Sequence, residues 1–124
     1  MPGGLVAISA ISSGRDGKLI TGKVGRDLTI GEARQAAVRA AENLLAVVME
    51  AADGDASRVS QILFVRGYVN AAEDFALVHQ VVDAASEVII GALGDKGRHA
   101  RTALGCATLP NNNAVTLDAL VVVG

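Results

Sequence analysis

The stretch from Gly97 to Val123, GRHARTALGCATLPNNNAVTLDALVVV, constrains the fold most strongly. It sets an apolar strand over Arg101–Thr108 and a second over about 114–123. The turn Leu109-Pro110-Asn111-Asn112-Asn113 lies between them. Arg101 stands at the head of the first strand, where the strands of a packed sheet begin. A guanidinium there calls for an anionic partner, either a protein carboxylate or the carboxylate or phosphate of a ligand. Alternation along a strand puts Arg101, Ala103 and Gly105 on one face, so the cation stands over a floor of small residues. A bidentate carboxylate contact suits that setting, and so does a structural ion pair. Thr116 and Asp118 share a face of the last strand, read as running antiparallel to the Arg101 strand.

Upstream, the chain alternates strands and helices. Residues 4–11 read as a buried strand. A turn over Ser12–Gly17 and a short strand over Lys18–Thr21 make an opening hairpin, followed by a loop over Gly22–Leu28. Thr29-Ile30-Gly31-Glu32 has the form of a capping box. The helix it opens runs to about Ala52, with Ala33, Ala37, Ala40, Leu44, Val47 and Ala51 as its buried stripe and Gly54 as terminator. Val59–Val69 reads as a long strand, in which Gly67 marks a bulge or a close backbone approach. A second helix runs from Glu73 or Asp74 to about Leu93, with Phe75, Val78, Val82, Ala85 and Ile89 inward and Gly94 as its stop. The order ββαβαββ predicts one α+β domain over residues 1–124, a sandwich of one mixed sheet with two helices packed on one face. The other sheet face is also apolar by pattern, which points to self-association.

Half the residues, 51%, are hydrophobic, but only 2% are aromatic, so Ala, Val, Leu and Ile must build the core. Oligomerisation would add to what such small side chains bury. The net charge is -2, with both signs interspersed and no basic stripe, which argues against nucleic-acid binding. No apolar run is long enough to cross a membrane, and no signal-like segment opens the chain. The single cysteine, Cys106, reads as a buried small hydrophobe and fits a reducing cytoplasm. No histidine, cysteine and carboxylate set has metal-ligand spacing, and the glycines lack the GK[ST] of a phosphate loop, so neither a metal site nor a phosphate loop is supported. His99 is either a proton shuttle or anion contact, or a locally hydrogen-bonded loop residue. His79 falls mid-helix.

Ala100-Arg101, the turn after Leu109-Pro110, the GRHAR spelling with Gly105 four residues on, and the run Gly17-Lys18-Leu19-Ile20-Thr21-Gly22-Lys23-Val24-Gly25 carry a resemblance. Over nearly its whole length the chain resembles the Rid (reactive-intermediate deaminase, YjgF-like) family, nearest its less characterised branch. The resemblance implies a chorismate-mutase-like (YjgF-like) fold, assembled as a homotrimer with sheets inward and ligand clefts between neighbours. It implies hydrolysis of imine or enamine intermediates of small carboxylates to 2-oxo acids and ammonia, without a cofactor, with Arg101 holding the carboxylate. Ser9 would line the cleft, although Ala10 follows it where the family has glycine. Backbone near Ser9 and Gly105 would place the water. Thr116 occupies the position of a family glutamate, and a hydroxyl is no general base near neutral pH. Asp118, one pleat or roughly 7 Å away, would have to substitute through a water. The cleft tyrosine of the family has no counterpart here. The alternatives are a non-catalytic trimer that binds small carboxylates, and hydrolysis of a carbamate or related amide.

Overall fold

A computed structural model describes residues 4–124. Four strands form one sheet: β1 (Gly4–Ser12), β2 (Val59–Asn70), β3 (Ala100–Cys106) and β4 (Val115–Val123), in the spatial order β1-β4-β2-β3. β4 pairs antiparallel with both β1 and β2, whereas β2 and β3 run parallel, so the sheet is mixed. Helices α1 (Ile30–Ala51) and α2 (Val78–Leu93) both pack on one face. The α+β class, the mixed sheet and the one-sided pair of helices are as the sequence predicts.

Strict alternation along β4 sorts the two faces. Val115, Leu117, Ala119, Val121 and Val123 are buried under the helices, and the even-numbered residues between them are only partly covered. α1 starts on the complete capping box, with Thr29 accepting from the Glu32 amide and Glu32 reaching back to the Thr29 amide. Its inward stripe is broader than its spacing suggests: Ala33, Ala36, Ala37, Ala40, Ala41, Leu44 and Val48, with Val48 taking the place assigned to Val47. Alanine at this density brings the helix close to the sheet, so a core of small side chains leaves few gaps.

Three details differ from the sequence reading. Lys18–Thr21 makes isolated bridges, Arg15 to Lys18 and Thr21 to Asn113, and not a strand. The Ile20 amide goes to Ser13 Oγ (2.9 Å) and its carbonyl to the Ala114 amide (3.1 Å), which leaves nothing for β1. α2 begins at Val78, because Phe75 lies against Gly25 and ties residues 71–77 to the preceding loop. Finally, β3 and β4 are not a hairpin. α2 carries the chain to a parallel position beside β2, and β4 then returns on the other side of β2. The connection over 107–114 therefore crosses the end of β2, where Asn70 donates to Asn112 Oδ1 (3.1 Å). Asn111 and Asn112 adopt φ of 57° and 56°, a left-handed pair that asparagine tolerates better than most residues.

Gly67 marks a close approach, and the irregularities of β2 lie nearer its start, at 59–61 and 62–64. A Cβ on Gly67 would stand 2.6 Å from both γ-methyl carbons of Val82. The opposite situation occurs in β1, whose register shifts between Ile8 and Ile11, and where Ala10 is forced to φ 53°. Left-handed backbone costs an alanine on the order of 1 kcal/mol. Chemical denaturation tests both positions. Gly67→Ala is expected to destabilise the fold by about 1–3 kcal/mol through overpacking. Ala10→Gly is expected to stabilise it by about 1 kcal/mol.

Candidate functional site

Parallel pairing with β2 sets Val65 beside Arg101, Gly67 beside Ala103 and Val69 beside Gly105. Arg101, Ala103 and Gly105 thus lie on the helix-covered face, as the alternation required. β3 is the edge strand, so the arginine emerges under the rim of α2 with its side chain 25% exposed. Its Nη1 donates to Asp83 Oδ1 at 2.6 Å and to Ser86 Oγ at 3.3 Å. Asp83 and Ser86 are one helical turn apart on α2 and face the same way. Among the described residues, Nε and Nη2 of Arg101 have no hydrogen-bond partner. The small-residue floor is present at Ala103, which packs on the core, while a side chain on Gly105 would meet Val78 at 3.4 Å.

His99 completes the cluster. One ring nitrogen, Nδ1, lies 2.5 Å from the Gly97 carbonyl, and Nε2 lies 3.0 Å from Ser86 Oγ. A carbonyl only accepts, so Nδ1 carries the proton, and Nε2 of the neutral ring accepts from the Ser86 hydroxyl. Burial pushes the His99 pKa below its ordinary value, and the Arg101 charge adds to that, against the opposing pull of the Gly97 hydrogen bond. A cleft of about 280 Å³ opens at the start of β3, lined by Phe64, Val65, Arg66, Ala100, Arg101 and Thr102; Phe64, Arg66, Ala100 and Thr102 belong to the helix-free face, opposite the one on which the Arg101 side chain meets α2. A larger groove of about 610 Å³ lies at the far end of β3, between Lys23, Phe75 and Gly105–Ala107, and does not include Arg101. Its lysine is engaged with Asn70 Oδ1 (2.9 Å) and with the Ala71 and Ala107 carbonyls, so it clamps three segments together.

The remaining sequence candidates lie elsewhere in the subunit. Ser9 is in the bulge of β1, at the opposite edge of the sheet; three strand spacings, roughly 14 Å, separate it from β3. Thr116 pairs with Ser12 and Tyr68 on the face away from the helices. β2 separates β4 from β3, so the antiparallel pairing of the Thr116 and Arg101 strands is corrected: one intervening strand divides them, and the two side chains are on opposite faces. Asp118 is directly opposite Arg66 and takes a bidentate bond from it (2.8 and 3.0 Å), with the Tyr68 hydroxyl at 3.3 Å. Cys106 is partly buried in register with Asn70, and His79 is exposed on α2. Sequence reasoning missed Asp83 and Ser86. Their i,i+3 spacing beside the buried Val82 and Ala85 was visible, but only the parallel register sets them over Arg101.

The sequence pattern of a family described as "YjgF/chorismate_mutase-like, putative endoribonuclease" matches residues 3–122. A Trypanosoma cruzi protein called TCP17 is 41% identical over 106 residues, 85% of this chain and 66% of its own length, so the chain spans just under two thirds of that relative. Among solved structures, Atu1372 from Agrobacterium tumefaciens, of unknown function, superposes with a TM-score of 0.94 at 39% identity, covering 97% of this chain and 78% of that one. A Shewanella oneidensis structure described as a "putative endoribonuclease" superposes at 0.89 with 26% identity, covering 94% of this chain and 78% of that one.

The half-buried His99, with its pKa pushed down, has a consequence for stability. In the unfolded chain it titrates near 6.5, and in the folded chain lower. As pH falls through 6.5 the unfolded state binds the proton first, so folded stability declines until the folded ring also titrates. Urea denaturation of native protein and His99→Gln, compared from about pH 7.5 to about pH 5, is expected to show a steeper loss in the native protein. Parallel curves would remove His99 as the source.

Proposed function

The chain belongs to the YjgF/chorismate mutase-like family, and within it we propose a Rid-type role: capture of a small carboxylate by Arg101 and hydrolysis of its imine or enamine to a 2-oxo acid and ammonia. The observation that carries this reading is the state of the guanidinium. It sits at a sheet edge with its side chain 25% exposed, and among the described residues a single nitrogen makes its only hydrogen bonds, to Asp83 and Ser86. One edge of its fork is left for a second anion. Imine hydrolysis needs orientation of substrate and water more than a cofactor, which such a site can supply.

A homotrimer with sheets inward is part of the proposal. The helix-free sheet face presents Leu5 and Leu104, 66% and 50% exposed, beside the partly covered Leu120 and Val122. Ser9 and Thr116 stand apart from Arg101 within one subunit, so a cleft that uses all three draws them from neighbours. A non-catalytic carboxylate-binding trimer is the second reading. It is favoured by Thr116, which cannot take a proton near neutral pH, and by the engagement of Asp118 with Arg66. An endoribonuclease role, as the family description and the Shewanella structure carry it, has less support: the net charge is -2, and Arg66, Arg98 and Arg101 each have a carboxylate partner.

Pyruvate titrated into the protein by calorimetry tests the anchor. Arg101→Ala is expected to lose on the order of 2–5 kcal/mol of binding, with an unchanged fold. Asp83→Asn removes the competing charge and is expected to tighten binding by up to about fivefold, the worth of a partly exposed ion pair. Equal binding by native protein and Arg101→Ala would end the assignment. Light scattering at micromolar concentration is expected to give about three times the 12.6 kDa chain mass. A monodisperse monomer would remove the intersubunit cleft.

A further inference from the structure

We propose that Ser86 and His99 are the proton relay of the Arg101 site, supplying the acid–base function for which the last strand has only a threonine. The inference rests on the carboxylate reading of Arg101 and adds to it the groups that move the proton. Three contacts in series build the relay: Arg101 Nη1 to Ser86 Oγ (3.3 Å), Ser86 Oγ to His99 Nε2 (3.0 Å), and His99 Nδ1 to the Gly97 carbonyl (2.5 Å). The last contact fixes the tautomer and the ring plane, so Nε2 points at the hydroxyl. Ser86 accepts from the arginine and donates to the imidazole, a polarity that suits passing a proton from a water to the ring.

The charges around His99 favour the neutral, proton-accepting ring. Arg101 is the neighbouring cation on β3. On α2, Asp83 is taken up by Arg101 and Glu87 by Arg34. On the turn before β3, Asp95 is taken up by Arg98, with Lys96 beside it. Among the described residues, no carboxylate contacts the imidazole to hold it protonated. The other candidates offer no free base even when a neighbouring subunit supplies them: Thr116 is a hydroxyl, and Asp118 is held by Arg66 and Tyr68.

The step balances. A protonated 2-imino acid exchanges its carboxylate for that of Asp83 on the guanidinium, with its C=N carbon toward Ser86. Water oxygen bonds to that carbon, and the π pair of the C=N bond moves to nitrogen. One water proton passes to Ser86 Oγ as the hydroxyl proton passes to His99 Nε2. The relay then runs backward and protonates the amine of the carbinolamine. The C–N bond breaks as C=O forms, and the hydroxyl proton leaves with the nitrogen as ammonium. Iminium and water become 2-oxo acid and ammonium, with no oxidant or reductant. The Arg101 charge makes the imidazolium a short-lived carrier.

The test is ammonia release from a freshly generated 2-imino acid, measured against the buffer rate across pH, with pyruvate calorimetry on the same proteins. His99→Gln and Ser86→Ala are expected to lower kcat on the order of 10²-fold or more while pyruvate binding is retained, and Ser86→Thr to keep most of the rate. Native kcat is expected to hold at pH 6.5 and to fall at lower pH, where the depressed His99 pKa of the folded chain is crossed, a dependence that His99→Gln lacks. If His99→Gln keeps the native kcat and its pH dependence while Arg101→Ala loses pyruvate, the relay is overturned and the carboxylate anchor stands. If Arg101→Ala binds pyruvate as the native protein does, the underlying reading falls. A native chain no faster than buffer overturns the relay and leaves carboxylate binding alone. Should His99→Gln fail to fold, Ser86→Ala with native turnover overturns the relay equally.

Discussion

The missing side chain of Gly67 is the constraint from which the site follows. Without a Cβ there, Val82 can sit directly on β2; with one, two methyl carbons would lie 2.6 Å away. That contact sets how far along and how close to the sheet α2 packs. Gly67 is in register with Ala103, so the same contact also sets α2 against β3. Asp83 follows Val82 in the chain, and Ser86 comes one turn later. Both are carried over the rim of the sheet to the place where Arg101 emerges. A helix held further out would leave the arginine to solvent and separate Ser86 from His99. The cluster therefore depends on a backbone contact inside the core, which is where its rigidity comes from.

The strength of the Arg101–Asp83 pair decides what the cluster can do. The side chains are 25% and 43% exposed, and pairs of this kind are worth about 0–1 kcal/mol. Such a pair fixes where the guanidinium points without committing it. A ligand carboxylate that engages both edges of the fork gains a second charged hydrogen bond that Asp83 does not make. In the proposed carboxylate site, Asp83 would preorganise the arginine and be the group displaced. The Arg66–Asp118 pair on the other face is different, because it is already bidentate and Tyr68 also reaches Asp118. It has no unfilled valence of the same kind, and the neighbouring Phe64 ring lies 5.4 Å from the Arg66 guanidinium carbon. Two arginine–aspartate pairs of similar appearance therefore differ in how readily an outside anion can enter.

Much of the architecture was legible where a local rule acts alone. The Thr29–Glu32 box, the α1 stripe to within one residue, the long strand ending near Val69 and the alternation of β4 follow from capping, helical spacing and pleating. What the sequence hid depends on partners distant along the chain. Lys18–Thr21 has strand composition, but its hydrogen bonds go to Ser13 and to Ala114. Leu109–Asn113 has turn composition, yet it spans β2 and does not reverse the chain onto β3. From the turn alone, a hairpin and a crossing connection look the same. That ambiguity is what placed Thr116 next to Arg101 by expectation. The strand parity of Arg101, Ala103 and Gly105 was right, and the neighbour across the sheet was not. Asp83 and Ser86 were invisible for the same reason, since nothing within α2 says which strand it covers.

The position of Ala10 bears on how the sheet completes itself. An alanine at φ 53° is held against its preference by the bulge between Ile8 and Ile11. The strain is local to the β1 edge, beside Ser9 and far from Arg101. Strain of this kind persists only where the surroundings fix the backbone in place. Within one subunit, Ser9 and Ala10 are exposed, and β1 has a sheet neighbour only in β4. A second copy laid on the apolar face would add restraint at this edge and cover Leu5 at the same time. The bulge, the exposed leucines and the wide separation of Ser9 from Arg101 are the features that the proposed assembly would bring together at one surface.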